Sequence, residues 1–317
     1  MKKKRNKSPL TKLLEYYAVY TIILFSRAVP LRVVKGISTV LGDLLYFLVP
    51  KRRNIATENL THAFPEKSSQ EIKEIARESC RSFFLTFLEI IKLRYLFNRP
   101  DTIHRIRERA KGIDELFQKA KAIHDESGGC IFVTPHIGNW EVLPHVSAFV
   151  GIPLAVVARP LDNERLETLV FENRVAGGQV LIPKKNALFA LQKTLRKGTS
   201  IGMLPDQSTM KGISIDFFNR PATTTPVPAI LAITYNRPVV VVACCRKKGS
   251  DHYEGFVSDP IRPQEHYESE KAEIFRITKE VTGQMETIIS KYPGQYLWMH
   301  NRWKKYKGKK EILSDQS

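Results

Sequence analysis

Residues 130–141 read Cys130-Ile131-Phe132-Val133-Thr134-Pro135-His136-Ile137-Gly138-Asn139-Trp140-Glu141. The run Ile131 to Thr134 follows Gly128-Gly129 and is short, apolar and rich in β-branched residues, which predicts a buried strand. Residues Asn139 to Val150 read as a helix. The stretch is therefore a strand, a tight turn and a helix, with a histidine in the turn.

The same alternation continues downstream. Leu154–Ala158, Gln179–Ile182 and Ser200–Leu204 are predicted strands, separated by helices at Asp162–Ala176 and Asn186–Lys197, the second closed by Gly198. Ile213–Phe218 reads as a further strand, Pro226–Tyr235 as a helix and Val239–Cys245 as a strongly apolar strand. Glu254–Val257 is a candidate pairing partner for that strand, and Glu268–Ser290 reads as a long helix. Strands alternating with helices predict an α/β domain with a largely parallel central sheet flanked by helices.

Upstream the pattern is helical. Residues 54–127 are polar and helical, and Ser68–Lys92 carries Ile72, Ile75, Cys80, Phe83, Phe87 and Ile90 at helical spacing. Asn59–Glu66, with Ala63-Phe64-Pro65-Glu66, reads as a helix end and turn.

The charge is uneven. The 317 residues hold 50 Lys and Arg against 32 Asp and Glu, a net charge of +18. Residues 1–53 carry twelve Lys or Arg, while Glu15 and Asp43 are their acids. Such basic clusters suit phosphate-rich partners, either nucleic acid or an anionic membrane. The basic start runs directly into Tyr16–Phe25, where only Thr21 is polar, and a second apolar stretch at Leu44–Val49 is closed by Pro50-Lys51-Arg52-Arg53. The first run is short of the ~20 residues of a clean membrane span. It lacks a small-residue cleavage site as well. Residues 1–53 are expected to be a helical membrane anchor at the cytoplasmic face; the alternative is two amphipathic helices packed on the domain. No zinc-finger spacing or RNP-like aromatic motif supports a nucleic-acid partner. Cys80, Cys130, Cys244 and Cys245 form no CxxC pair, so a reduced chain with neither disulfide framework nor structural zinc is expected.

Active groups in open α/β sheets sit at the carboxyl ends of strands. His136 occupies such an end, and Glu141 follows five residues later in the first turn of the next helix. That offset lets a carboxylate reach back to an imidazole, fix its tautomer and stabilise its protonated form, which makes a general base. The opposite reading is a loop histidine with local hydrogen bonds and a glutamate serving the helix N-terminus. No G-x-S-x-G is present, so the activated hydroxyl is expected to come from the substrate. The backbone N–H groups of Gly138 and Asn139 are candidate oxyanion donors. HExxH is absent, and no metal is expected.

The other strand ends add candidates. Arg159 begins Arg159-Pro160-Leu161-Asp162-Asn163, and Arg174 lies in the following segment; two cations there suit an acidic substrate group. Pro205-Asp206-Gln207 ends another predicted strand, where Asp206 is placed to hold Arg174 or a substrate hydroxyl, or to serve as a turn residue. Phe217 and Phe218 fit either core or the wall of an acyl pocket. His62 reads as a loop residue and His145 as structural. The segment Trp298–Lys304, with His300 and two tryptophans, reads as interfacial or as a tail packed on the core.

These residues resemble a known family. Thr134 to Glu141 looks like the H-x4-D/E signature of glycerolipid-type acyltransferases, and the form His136-Ile137-Gly138-Asn139-Trp140-Glu141 resembles the late acyltransferases of lipid A biosynthesis, the lauroyl/myristoyl transferase family. Asn59–Glu66, Arg159–Asn163, Arg174, Pro205-Asp206-Gln207, Phe217-Phe218 and Trp298–Lys304 resemble that family in the same order. The resemblance implies a glycerolipid acyltransferase-like fold, with residues 128–305 as catalytic domain and 306–317 as a basic, polar tail. It implies that a fatty acyl thioester, on acyl carrier protein, is attacked by a hydroxyl of a lipid A precursor at the inner membrane. His136 then matches the general base and Glu141 its partner, while Arg159, Arg174, Asp206 and Gln207 match positions that bind substrate or shape the site. No metal or organic cofactor is implied. Two other readings compete: an O-acyltransferase of the same fold acting on another membrane glycolipid or glycerophospholipid, and a non-catalytic lipid-binding protein.

Overall fold

The structure is a computed structural model that describes residues 8–97, 102–109, 113–158, 162–169, 180–183, 187–250 and 252–304. Three helices open the chain: α1 (Pro9–Ala28), α2 (Leu31–Leu48) and α3 (Pro50–Ala63). Ser8 caps α1 by accepting the Thr11 N–H, and proline at the first turn begins α1 and α3, where its missing N–H costs nothing. Helix α3 runs through residue 53, so the anchor boundary drawn there falls inside a helix. It also places His62 in a last helical turn, against Trp303, rather than in a loop.

Helix α4 (Ser69–Phe97) is the long support of this region. Gly42 of α2 meets it so closely that a Cβ would lie 2.4 Å from the Arg81 Cα, so only glycine fits. One residue on, Asp43 accepts the guanidinium forks of both Arg77 and Arg81 at 2.6–2.7 Å. Hydrogen bonds from the two arginines hold the Asp43 carboxyl well below the usual carboxylate range. Helices α5 (Thr102–Arg109) and α6 (Ile113–Ser127) lead into the sheet.

Six strands form that sheet in the order β3-β2-β4-β1-β7-β8. They are β1 (Ile131–Val133), β2 (Leu154–Ala158), β3 (Val180–Pro183), β4 (Ser200–Met203), β7 (Val239–Arg246) and β8 (Tyr253–Val257). The first five are parallel to one another, and β8 is antiparallel to β7. The predicted α/β sheet is thus observed. Ile131 and Val133 face one core with Leu191, Leu195, Leu231 and Ile277, while Phe132 faces the other with Ala120 and Ile123. Burial on both faces explains why these strands read as continuous apolar runs. The covering helices are α6 and α7 (Val142–Phe149) on one side, and α8 (Ala187–Arg196), α9 (Val227–Tyr235) and α10 (Glu270–Lys291) on the other.

Two local readings change. Ile213–Phe217 (β5) does not join the main sheet; it pairs antiparallel with β6 (Arg220–Thr224) in a separate hairpin. Pro221 obscured β6, because proline survives in a strand only where the ladder ends at an edge. The helix predicted over Asp162–Ala176 is observed at 164–169; Asp162 and Asn163 form a bend before it, and residues 170–176 lie outside the described residues.

Of the described helices, no single one is long and apolar enough to cross a membrane; α2 and α3 meet that test only as a pair bent by 93°. Both α1 and α2 carry large apolar side chains in solvent, among them Leu14, Phe25, Leu44, Phe47 and Leu48.

Candidate active site

Strands β1 and β4 lie side by side, with Val133 opposite Met203, and the Thr134 N–H donates to the Met203 carbonyl at 3.0 Å. The chain from β1 connects towards β2 on one side of the sheet, and the chain from β4 connects towards β7 on the other. Adjacent strands with opposite connections make a switch point, where a crevice opens beyond their carboxyl ends. His136 and Asp206 meet there.

The contact is double. The backbone N–H of His136 donates to Asp206 Oδ2 at 2.9 Å, and Nδ1 of the ring lies 2.7 Å from Asp206 Oδ1. The side chain of Asp206 is 1% exposed and that of His136 18%, so the carboxylate is sealed and the imidazole has one edge open. Burial pushes the imidazole pKa down, but the Asp206 charge, its hydrogen bond and the Glu141 charge outweigh it, leaving His136 raised. For Asp206, burial pushes up, and the charge and hydrogen bonds of His136, with the charge of Arg302, hold it below the usual range. An ionised Asp206 fixes the proton on Nδ1, so Nε2 carries the lone pair. The Gln207 amide lies 3.3 Å from Nε2, and the Trp140 ring stands edge-on to the imidazole at 5.3 Å.

This arrangement corrects two expectations. The carboxylate on Nδ1 is Asp206, which the sequence reading assigned to Arg174 or a hydroxyl; Glu141 stands at the N-cap position of α7 and acts on the ring by its charge. A five-residue offset is visible in a sequence, whereas the juxtaposition of two parallel strands is not. The second correction concerns the oxyanion donors. The Gly138 N–H donates to the Gln295 carbonyl at 3.2 Å, and the Asn139 N–H to the Cys244 carbonyl at 2.8 Å. Both amides hold the loop and are spent.

The C-terminal segment completes the site. A bridge pairs Ile137 with Tyr296, and the His136 carbonyl accepts the Leu297 N–H at 3.1 Å. The Tyr296 phenol, buried, hydrogen-bonds Asp206, and its pKa is pushed well above the usual phenol value by burial first and then by that carboxylate. Buried Arg302 donates to the Thr223 carbonyl at 2.9 Å and to Thr224 Oγ1 at 2.6 Å, within range to stabilise the Asp206 charge. His300 accepts the Ser208 N–H on Nε2 at 3.2 Å; burial lowers its pKa against the pull of Asp206, and the cations around it lower it further. Tyr296 escaped the sequence reading, although it sits two residues before the quoted tryptophan block.

Other candidates fall as follows. Trp298 and Trp303, 1% and 8% exposed, are core residues rather than interfacial ones. Phe217 and Phe218 are buried too; the Phe218 ring packs at a tilt against Phe64 and Trp298, which explains Ala63-Phe64-Pro65 as a packing motif. His145 is buried in α7. Burial pushes the thiols of Cys130 and Cys244 up to about 12, so both are inert. Arg159 and Arg174 lie outside the described residues.

A carboxylate-held imidazole, its Nε2 beside the Gln207 amide, stands at the switch point of a doubly covered α/β sheet. The family is shown by the whole sequence: residues 1–305 match the bacterial lipid A biosynthesis acyltransferase family, and the chain belongs to it. It is an acyltransferase. The lipid A biosynthesis palmitoleoyltransferase of Escherichia coli (strain K12) is 24% identical over 278 residues, covering 87% of this chain and 86% of that protein. The lipid A biosynthesis acyltransferase of Shigella flexneri aligns with the same figures. The lipid A biosynthesis acyltransferase 2 of Shigella flexneri is 24% identical over 252 residues, covering 78% of this chain and 76% of that protein.

Proposed function

We propose that this protein transfers a fatty acyl chain from an acyl carrier protein thioester to a hydroxyl of a lipid A precursor at the cytoplasmic face of the bacterial inner membrane. His136 is the general base. Its Nε2 takes the proton of the acceptor hydroxyl as that oxygen attacks the thioester carbonyl. A tetrahedral intermediate forms, the C–S bond breaks, and the proton passes from imidazolium to the leaving thiolate. Asp206 holds the tautomer and stabilises the imidazolium, as the buried acid does in a Ser-His-Asp triad. Glu141 adds a second negative charge that raises basicity. Gln207 occupies the place where the hydroxyl would approach. Arg159 and Arg174 bind acidic groups of the substrates.

The observation that carries this reading is the pair of hydrogen bonds between His136 and Asp206, which holds the backbone N–H and Nδ1 and leaves Nε2 beside the Gln207 amide. Family membership and the names of the relatives support the acceptor. The net charge of +18 supports acidic partners on both sides of the reaction. The exposed apolar faces of α1 and α2, followed by Lys51-Arg52-Arg53, support a membrane surface as the workplace.

The test is a transfer assay read by mass spectrometry, with a panel of acyl carrier protein thioesters and a tetra-acylated Kdo-lipid A precursor. The expected result is a gain of one acyl group with the wild type and none with His136→Ala. Thioester consumption only when other membrane lipids are added would keep the chemistry and move the acceptor. Near-normal turnover by His136→Ala would remove the base.

A further inference from the structure

Strand β1 has two neighbours, β4 and β7, one on each side. Asp206 grips its outgoing loop from the β4 side. A buried polar cluster grips the same loop from the β7 side, and the reaction does not use it. Ser82, Thr86 and Glu89 line one face of α4, at spacings of four and three. Glu89 Oε2 accepts Arg246 Nη2 at 2.6 Å, Arg246 Nε at 2.9 Å and Asn139 Nδ2 at 2.9 Å. Arg246 Nη2 also donates to Thr86 Oγ1 at 2.8 Å, and that hydroxyl donates to the Gly138 carbonyl at 2.7 Å. Gln295 fastens the backbone of Arg246 through both ends of its amide, at 2.9 and 2.7 Å, and its own carbonyl accepts the Gly138 N–H. Both sides of the Gly138 residue are therefore held. Gly138 itself has φ 58°, and a Cβ there would lie 2.1 Å from the Cys244 carbonyl oxygen, so the loop lies flat against β7.

An ion pair this buried contributes little net stability, because desolvation offsets the attraction, and an apolar pair of similar volume does as well or better. What the pair supplies that an apolar pair would not is direction. Its bonds to Asn139 and Thr86 end on the loop or on a group that holds it, while Arg246 Nη1 also donates to Ser82 Oγ at 3.3 Å. From this we infer that Glu89 and Arg246, acting through Thr86 and Asn139, are positioning residues that set where His136 stands relative to Asp206. The inference rests on the proposed role of His136 as base. None of the four touches the reacting atoms. They fix the residues two and three beyond His136, so their loss lets the imidazole drift from the carboxylate.

Asp206 from the end of β4, Glu141 from the start of α7 and His300 from the C-terminal segment act on His136 directly, while Tyr296 and Arg302 of that segment act on Asp206. Drift from Asp206 alone removes the strongest raising influence, while burial still pushes the imidazole down. The acid limb of the rate profile, where the base is lost to protonation, then moves to lower pH.

The experiment measures kcat, KM for the thioester, the pH profile and the thermal midpoint of the full-length enzyme in detergent micelles. His136→Ala serves as the reference for the base. Thr86→Val keeps the volume and removes the relay hydroxyl; it is expected to lower kcat about tenfold with KM unchanged and to move the acid limb down, and Thr86→Ser to restore both. Glu89→Gln leaves Arg246 buried without its partner and is expected to lower kcat roughly a hundredfold and the thermal midpoint as well. The pair Glu89→Leu with Arg246→Met is expected to recover the midpoint but neither kcat nor the limb. Wild-type kcat and an unmoved limb in Thr86→Val, with His136→Ala inactive, would overturn the positioning role and leave the base intact; should the double variant not fold, the Thr86 variants decide alone. Activity retained by His136→Ala would instead remove the reading on which the inference stands.

Discussion

His136 and Asp206 each lie three residues beyond a pair of facing residues, Val133 of β1 and Met203 of β4. Equal overhangs from adjacent parallel strands bring the two side chains level. Their hydrogen bonds, one from the backbone and one from the ring, then fix both the distance and the plane of the imidazole. The His136–Asp206 pair is thus set by sheet register.

If Asp206 sets the tautomer, replacing its charge should be worse than replacing that of Glu141. Asp206→Asn keeps the shape but offers an amide to Nδ1. It is expected to cost roughly a thousandfold or more in kcat, by analogy with the loss of the buried acid in hydrolytic triads. Its acid limb should move to lower pH. Glu141→Gln should move the limb less, because its charge is the weakest of the raising influences on His136. Equal shifts in the two profiles would mean that Glu141 acts on the imidazole as strongly as Asp206 does, against the order of influences seen here.

The Tyr296 phenol donates to a buried, ionised Asp206. Hydrogen bonds to charged groups are worth about 1.5–3 kcal/mol, so Tyr296→Phe is expected to lower stability by about 2 kcal/mol. Chemical denaturation followed by tryptophan fluorescence would read this, since Trp298 stands 4.8 Å from the Tyr296 ring. A change below about 0.5 kcal/mol would mean that the phenol adds nothing to the Asp206 charge.

The opposed shifts of the pair also predict a pH dependence of stability. His136 is raised above its ordinary 6.5, so its contribution is complete below that value and fades as pH rises through the folded pKa. Asp206 is lowered from 3.8, so its contribution is complete above that value and fades as pH falls through the folded pKa. The window in which both are complete lies between about 4 and 6.5. The thermal-midpoint gap between the wild type and His136→Gln should accordingly be wider at pH 6 than at pH 9. A gap that widened towards pH 9 would contradict the raised imidazole.

Much of the geometry was legible in residues 130–141, where the glycine pair, the apolar run and the turn histidine announce a strand that ends in an imidazole. Asp206 was legible as a strand-end acid but not as the partner of His136, because the order of β4 and β1 is a tertiary fact. Local spacing offered Glu141 instead, the nearest acid along the chain. Gly138 and Asn139 were misread for the same reason: a turn followed by a helix suggests free amides, and only the approach of β7 and Gln295 shows them taken. Tyr296, Glu89 and Thr86 meet the loop from more than forty residues away, and Arg246 acts on it through the latter two. None carries a motif of its own. Trp298 and Trp303 beside lysines looked interfacial, yet β5, β6 and α3 close over them.

The membrane reading makes its own demand on the tip of α2. Phe47 and Leu48 are 57% and 72% exposed, and Lys51 and Arg52 follow at once in solvent. Apolar side chains next to cations suit the boundary between acyl chains and lipid phosphates. Burying one such side chain is worth about 1.5–3 kcal/mol, and polybasic attraction adds about 1 kcal/mol per cation near an anionic surface. Phe47→Ser with Leu48→Ser should therefore weaken partition onto anionic vesicles by at least about a hundredfold. Both residues lie away from the His136 loop, so turnover of detergent-dispersed substrate should be retained. Flotation with vesicles containing phosphatidylglycerol would measure the first and the mass-spectrometric assay the second. Unchanged flotation would show that this tip does not enter the bilayer.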